Sequence, residues 1–74
     1  MKSEYNASVN QELTKREIEV VQLIADGLTN TQMAERLFIA VSTLKNHISN
    51  IYKKLGCHNQ GHAVAYCFRK GLIK

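Results

Sequence analysis

The stretch TNTQMAERLFIAVSTLKNHISNIYKKLG, residues 29–56, decides the fold. Thr29 followed by Gln32 has the spacing of a capping box, in which a hydroxyl accepts from an unpaired amide of the first turn and the third helical side chain reaches back to the cap amide. Met33, Ala34 and Leu37 then fall on one helical face, which predicts a short helix over 30–37. Leu44, Ile48, Ile51 and Leu55 follow at i, i+4, i+7 and i+11, a single apolar stripe that predicts a helix over 41–55 ended by Gly56. Between the two, Phe38, Ile39 and Ala40 contain neither glycine nor proline, so the junction is expected to be tight and pinned by burial. Opposite the apolar stripe stand Ser42, Lys45, Asn46, Ser49 and, farther along, Lys53, with no carboxylate among them. A short helix, a three-residue junction and a longer amphipathic helix make a helix-turn-helix unit.

Upstream, Thr14 and Glu17 repeat the capping box, Leu13 is placed to staple onto the helix, and Val20, Val21 and Ile24 recur at helical spacing as far as Gly27. That predicts a helix over 15–26. Downstream, Asn59 caps a helix predicted over 60–70, with Val64, Cys67 and Phe68 turned toward the core and Leu72 and Ile73 packing back after Gly71. Residues 1–12 hold Tyr5, Ala7 and Val9 in a polar background without a period and read as a flexible polar arm, leaving 13–74 as one domain. The expected fold class is all-α, a four-helix domain containing a helix-turn-helix.

Seventy-four residues with 45% hydrophobic and 22% charged side chains make one small domain, too small for a roomy enzyme pocket. No apolar run approaches the roughly 18 residues of a membrane span, and the N-terminus lacks a signal peptide's apolar stretch, so a cytoplasmic chain without membrane association is expected. Cys57 and Cys67 read as two free thiols rather than a disulfide. Residues 1–27 carry three basic and five acidic side chains, whereas residues 28–74 carry seven basic ones and only Glu35. Cations gathered in one part of the chain suggest a polyanionic partner.

The acid-free helix face matches the major groove, about 12 Å wide, which admits one α-helix. Asn46 offers a donor and acceptor pair to adenine, Lys45 donates to guanine, and Ser42 and Ser49 permit close approach. Phosphate contact is expected from Thr29, Asn30 and Thr31 at a helix N-terminus, and from Thr43, His47, Lys53 and Lys54.

Leu13-Thr14-Lys15-Arg16-Glu17, Glu19-Val20, Gly27, Thr29-Asn30, Met33-Ala34, Leu37, Ile39, Thr43-Leu44, His47-Ile48, Lys54-Leu55-Gly56 and Ala63-Val64 together resemble the LuxR/FixJ-type bacterial DNA-binding domain. The resemblance spans Leu13 to about Ile73 and is closest to the effector domains of NarL-type response regulators and to the stand-alone sporulation regulator of the same build. It implies a transcription regulator that binds double-stranded DNA as a homodimer, with Val41, Ser42, Lys45, Asn46 and Ser49 at base edges and Thr29, Asn30, Thr43, His47 and Lys54 on the backbone. The fourth helix then contributes to the subunit contact, for which His62, Tyr66 and Arg69 are the candidates, and RNA polymerase is a further partner. Two positions depart from the family pattern: Ala40 stands where a serine usually caps the reading helix, and Gln60 where an arginine usually opens the last one.

Other classes fit less well. His47, Cys57, His58, His62 and Cys67 lack the paired spacing of a structural zinc site, so neither a metal nor another cofactor is expected. A non-enzymatic helical protein-interaction module remains the alternative; a membrane-binding helix would carry bulky apolar groups beside its cations, and the outer face at 41–55 has none.

Overall fold

The computed structural model describes residues 12–74, and within them the chain forms four helices: α1 (Lys15–Ala25), α2 (Asn30–Leu37), α3 (Val41–Leu55) and α4 (Gln60–Arg69). The expected arm lies outside the described residues except for Glu12. Both predicted capping boxes form: Thr14 Oγ1 accepts from the Glu17 amide and Glu17 Oε1 from the Thr14 amide, and Thr29 pairs with Gln32 in the same way. Asn59 Oδ1 caps α4 by accepting from the His62 amide at 2.8 Å. Ala40 provides no side-chain cap for α3.

Every helix closes with the same backbone device. After the last turn a residue takes positive φ, and the next amide reaches back five residues: Leu28 to Leu23, Ile39 to Ala34, Cys57 to Tyr52 and Leu72 to Cys67, at 2.9–3.1 Å. Three of the positive-φ residues are Gly27, Gly56 and Gly71, which adopt it without steric penalty. The fourth is Phe38. The 38–40 junction is therefore pinned by this backbone closure and not by burial of its side chains, because Phe38 is 94% exposed and only Ile39 is half-buried.

α1 packs against α3 and α4, and α2 against α3. Val20, Val21, Ile24, Met33, Ala34, Leu44, Ile51, Cys67 and Ile73 form one core, with Ile48 and Leu55 partly buried against it. The C-terminal end is held by Gln22, whose Nε2 donates to the Lys74 carbonyl and whose Oε1 accepts from the Lys74 amide, which keeps Ile73 in the core. Phe68 does not turn inward. On α4 the inward positions at i and i+4 are Ala63 and Cys67, small enough for close approach of α1; Phe68, about 100° farther round, is 62% exposed. Leu72 is covered only in part, with 39% of its surface exposed, while Ile73 packs back as expected. α1 and α4 each end one residue earlier than their sequence patterns suggest.

Candidate nucleic-acid interface

α3 presents two unlike sides because its apolar stripe is consumed by the core. Leu44 and Ile51 are buried, and the opposite side exposes Ser42, Lys45, Asn46, Ser49 and Lys53, with Val41 exposed at its first turn. Asn50 belongs to the same outward surface, one turn beyond Asn46, and is also exposed. Sequence reasoning passed over Asn50 although its spacing from Asn46 was the available signal. Thr43 is exposed and His47 half-buried along one flank of the helix. None of these side chains is an acid, so the surface has donors, acceptors and cations without a group that repels phosphate.

The second part is the start of α2. Thr29, Asn30 and Thr31 are all exposed there, with the Thr29 hydroxyl occupied as the cap of the Gln32 amide. A helix N-terminus carries a partial positive charge and unpaired amides, so this end complements an anion.

Lys54 stands apart from the other candidates. Its Nζ lies 2.8 Å from Glu17 Oε1 and donates to the Glu12 carbonyl at 3.4 Å, and the same Glu17 oxygen accepts from the Thr14 amide. The lysine is thus committed to the start of α1 instead of standing free at the rim with Lys53. Burial alone would raise the Glu17 carboxyl, but the Lys54 ammonium and the Thr14 hydrogen bonds outweigh it and hold the group below the ordinary carboxylate value. One carboxylate therefore caps α1 and anchors the last turn of α3. The partners lie 37 residues apart, so no local pattern signals them.

Of the residues expected at a subunit contact, His62 and Arg69 are exposed, while Tyr66 is half-buried with Lys70 Nζ 5.6 Å from its ring centre. Phe68 and Leu72 add exposed apolar surface beside them, which the sequence reading had sent inward or against the core. Cys57 and Cys67 are buried free thiols; burial pushes both upward in pKa, and for Cys67 the neighbouring Cys57 adds to the effect. Among the described residues no three His, Cys, Asp or Glu side chains converge as metal ligands, and no helix is long and apolar enough to cross a membrane.

Comparison with known proteins adds the family context. Residues 11–67 match the model for "Bacterial regulatory proteins, luxR family". Among curated proteins, the transcriptional regulatory protein LiaR of Bacillus subtilis is 44% identical over 68 residues, 92% of this chain and 32% of that protein. DegU of Brevibacillus brevis is 42% identical over 62 residues, covering 84% of this chain and 26% of its own length. Among solved structures, the transcription factor GerE superposes with a TM-score of 0.81 at 32% identity over 86% of this chain and 97% of GerE. The response regulator ChrA of a heme-sensing two-component system superposes with a TM-score of 0.80 at 42% identity over 86% of this chain and 32% of ChrA. The chain spans about a third of the length of LiaR and ChrA, and nearly all of GerE.

Proposed function

Because the chain belongs to the luxR family of bacterial regulatory proteins, whose helix-turn-helix domain is a DNA-binding transcription-regulator module, we propose that α3 enters the major groove and reads operator sequence. The observation that carries this reading is the acid-free exposed side of α3, set opposite a stripe buried in the core. Lys45 and Asn46 act at base edges, Val41, Ser42 and Ser49 allow close approach, and Thr29, Asn30, Thr31, Thr43, His47 and Lys53 hold the phosphates on either side. In this arrangement Lys54 supports the interface from within, through Glu17, rather than by touching a phosphate.

Two copies are proposed to bind half-sites about one helical turn, roughly 10 base pairs, apart. One small module buries little surface on DNA, about 600–1,000 Å², so pairing multiplies affinity. The α4 residues His62, Tyr66 and Arg69 supply the polar part of that contact, and Phe68 and Leu72 its apolar centre. The regulator is proposed to act in the bacterial cytoplasm, without catalysis or a cofactor, and to communicate with RNA polymerase.

The test is fluorescence-anisotropy binding to a randomised duplex pool between about 50 and 300 mM salt, with sequencing of the retained fraction. A steep negative salt slope and a two-fold symmetric enriched motif are expected, and Lys45→Ala is expected to relax one position of that motif at a cost of about 1–3 kcal/mol. Absence of binding at low salt refutes the reading and leaves a protein-interaction module.

A further inference from the structure

Asn50 has no role in the core, and its direction on α3 singles it out. Successive helical residues turn by about 100°, so the stripe of Leu44, Ile48, Ile51 and Leu55 packed on the core fixes an inner direction and, opposite it, an outward one. By that turn Asn46 lies about 10° from the outward direction, Ser42 about 30°, and Ser49 and Asn50 each about 50°, on its two sides. All four are exposed. Farther round on the side of Asn50, at about 110°, His47 is already half-buried and marks the flank of the helix. Asn50 thus stands as near the outward line as Ser49, with a longer side chain.

The chemistry of that side chain indicates what it meets. Asparagine is a weak helix former, and among the described residues the amides of Asn46 and Asn50 hydrogen-bond to no protein group, so neither helix formation nor packing accounts for them. An amide presents a donor and an acceptor side by side, the complement of the N6 donor and N7 acceptor of adenine in the major groove. A phosphate offers acceptors alone and leaves half of that capacity unused. Ser42 and Ser49, seven residues or about 10 Å apart along the axis, keep bulk off the outward face, so the helix can approach closely enough for a side chain as short as asparagine. Four residues separate the two amides, a rise of about 6 Å, close to two base-pair steps of about 3.4 Å.

On the reading of α3 as the operator-binding helix, on which this assignment rests, we infer that Asn50 is a second base-reading amide, taking an adenine about two base pairs from the base taken by Asn46. The pair specifies two positions of each half-site by the same chemistry. Asn50 is then a determinant of sequence and not of general affinity for DNA.

The experiment uses the whole chain. Wild type, Asn50→Ala, Asn46→Ala and Lys45→Ala are each selected on a randomised duplex pool at about 100 mM salt, the retained fractions are sequenced, and affinities for the wild-type consensus and for an unrelated duplex are measured by anisotropy. The wild type is expected to enrich adenine at two positions about two base pairs apart in each half-site. Asn50→Ala is expected to lose the preference at one of them, to keep the one that Asn46→Ala loses, and to bind the consensus about tenfold more weakly. Its affinity for the unrelated duplex is expected to stay within about twofold of wild type, with a melting temperature no lower, since alanine is the better helix former. Equal weakening on both duplexes with the motif intact makes Asn50 a phosphate contact and overturns the proposal. An unchanged motif and unchanged affinity overturn it too, as does loss of preference at the same position that Asn46→Ala relaxes. In each of these cases relaxation by Lys45→Ala or Asn46→Ala leaves the α3 reading standing. A wild type that binds no duplex, or a motif that none of the three variants relaxes, refutes that reading and the role of Asn50 with it.

Discussion

Replacing Lys54 by methionine separates two roles for this residue, anchor of α1 or ligand of phosphate. The Glu17 side chain is 7% exposed and that of Lys54 is 21%, so the ion pair is only partly hydrated. Removing one partner of a fully buried pair costs about 3–5 kcal/mol, chiefly because the other charge is stranded. Here the lysine end meets water and Glu17 keeps its bond from the Thr14 amide, so about 2 kcal/mol is expected at pH 7. For a domain of this size that corresponds to a fall in melting temperature of about 8–16 °C.

The effect depends on pH with a defined sign. In the wild type the Glu17 carboxyl is held below its ordinary value, so its contribution is present above the unfolded-state value, about 4.3, and is lost as pH falls through the lower native value. With Lys54 removed, burial of the carboxylate is no longer offset, and the native form gains from taking up a proton. The penalty of Lys54→Met therefore shrinks between about pH 7 and pH 4. Urea denaturation followed by circular dichroism at both pH values measures it, and the double variant Glu17→Gln, Lys54→Met is expected to recover about 1 kcal/mol by removing the stranded charge while keeping a cap for α1. A penalty below about 0.5 kcal/mol at pH 7, or one that does not change with pH, refutes the anchoring role. If stability is unchanged while the slope of binding against salt falls by about one, Lys54 is a phosphate ligand after all.

Ala40→Ser places a hydroxyl at the uncapped start of α3 and is expected to stabilise the domain by about 1 kcal/mol, read as a rise in melting temperature of about 4–8 °C; no rise shows that another group already satisfies that end. Phe68→Glu puts a charge at the centre of the proposed subunit contact, so it is expected to leave the melting temperature within a few degrees and to abolish paired occupation of two half-sites in a gel-shift titration, with binding to a single half-site retained. Leu44→Ala, at a wholly buried position on the inner side of α3, is expected to cost about 2–5 kcal/mol by the same denaturation assay. Cys57 and Cys67, buried and shifted upward in pKa, are expected to react with a chromogenic disulfide at pH 7 far more slowly than free cysteine and to become fast in urea.

The legible parts of this fold are those whose cause is local. Capping boxes span four residues and apolar stripes a few turns, so α1 to α3 could be placed from the chain alone, and α4 from its asparagine cap and apolar spacing. Helix ends were legible where glycine supplied positive φ. The same geometry at Phe38 was hidden, since nothing in a phenylalanine announces a left-handed residue, and the ring invited the opposite inference of burial. The outer side of α3 was legible because its complement, the core stripe, has a strict period. The Glu17–Lys54 pair was not, for it depends on how α1 lies across the end of α3.

Phe38, read in a junction pinned by burial, and Phe68, read on a helical pattern, were misjudged by one assumption, that a large apolar side chain turns inward. In a four-helix domain of this size the core is soon filled, and here Met33, Leu44, Ile51, Val20, Val21 and Cys67 occupy it as the largest fully buried side chains. Both phenylalanines of the chain are consequently displaced outward, one at the end of α2 and the other on α4. Apolar rings this exposed contribute little to the core of the domain. A substitution that removes either ring is expected to spare the fold and the binding of DNA, whereas one that enlarges Ala63, which is buried, is expected to destabilise the domain by about 1–3 kcal/mol.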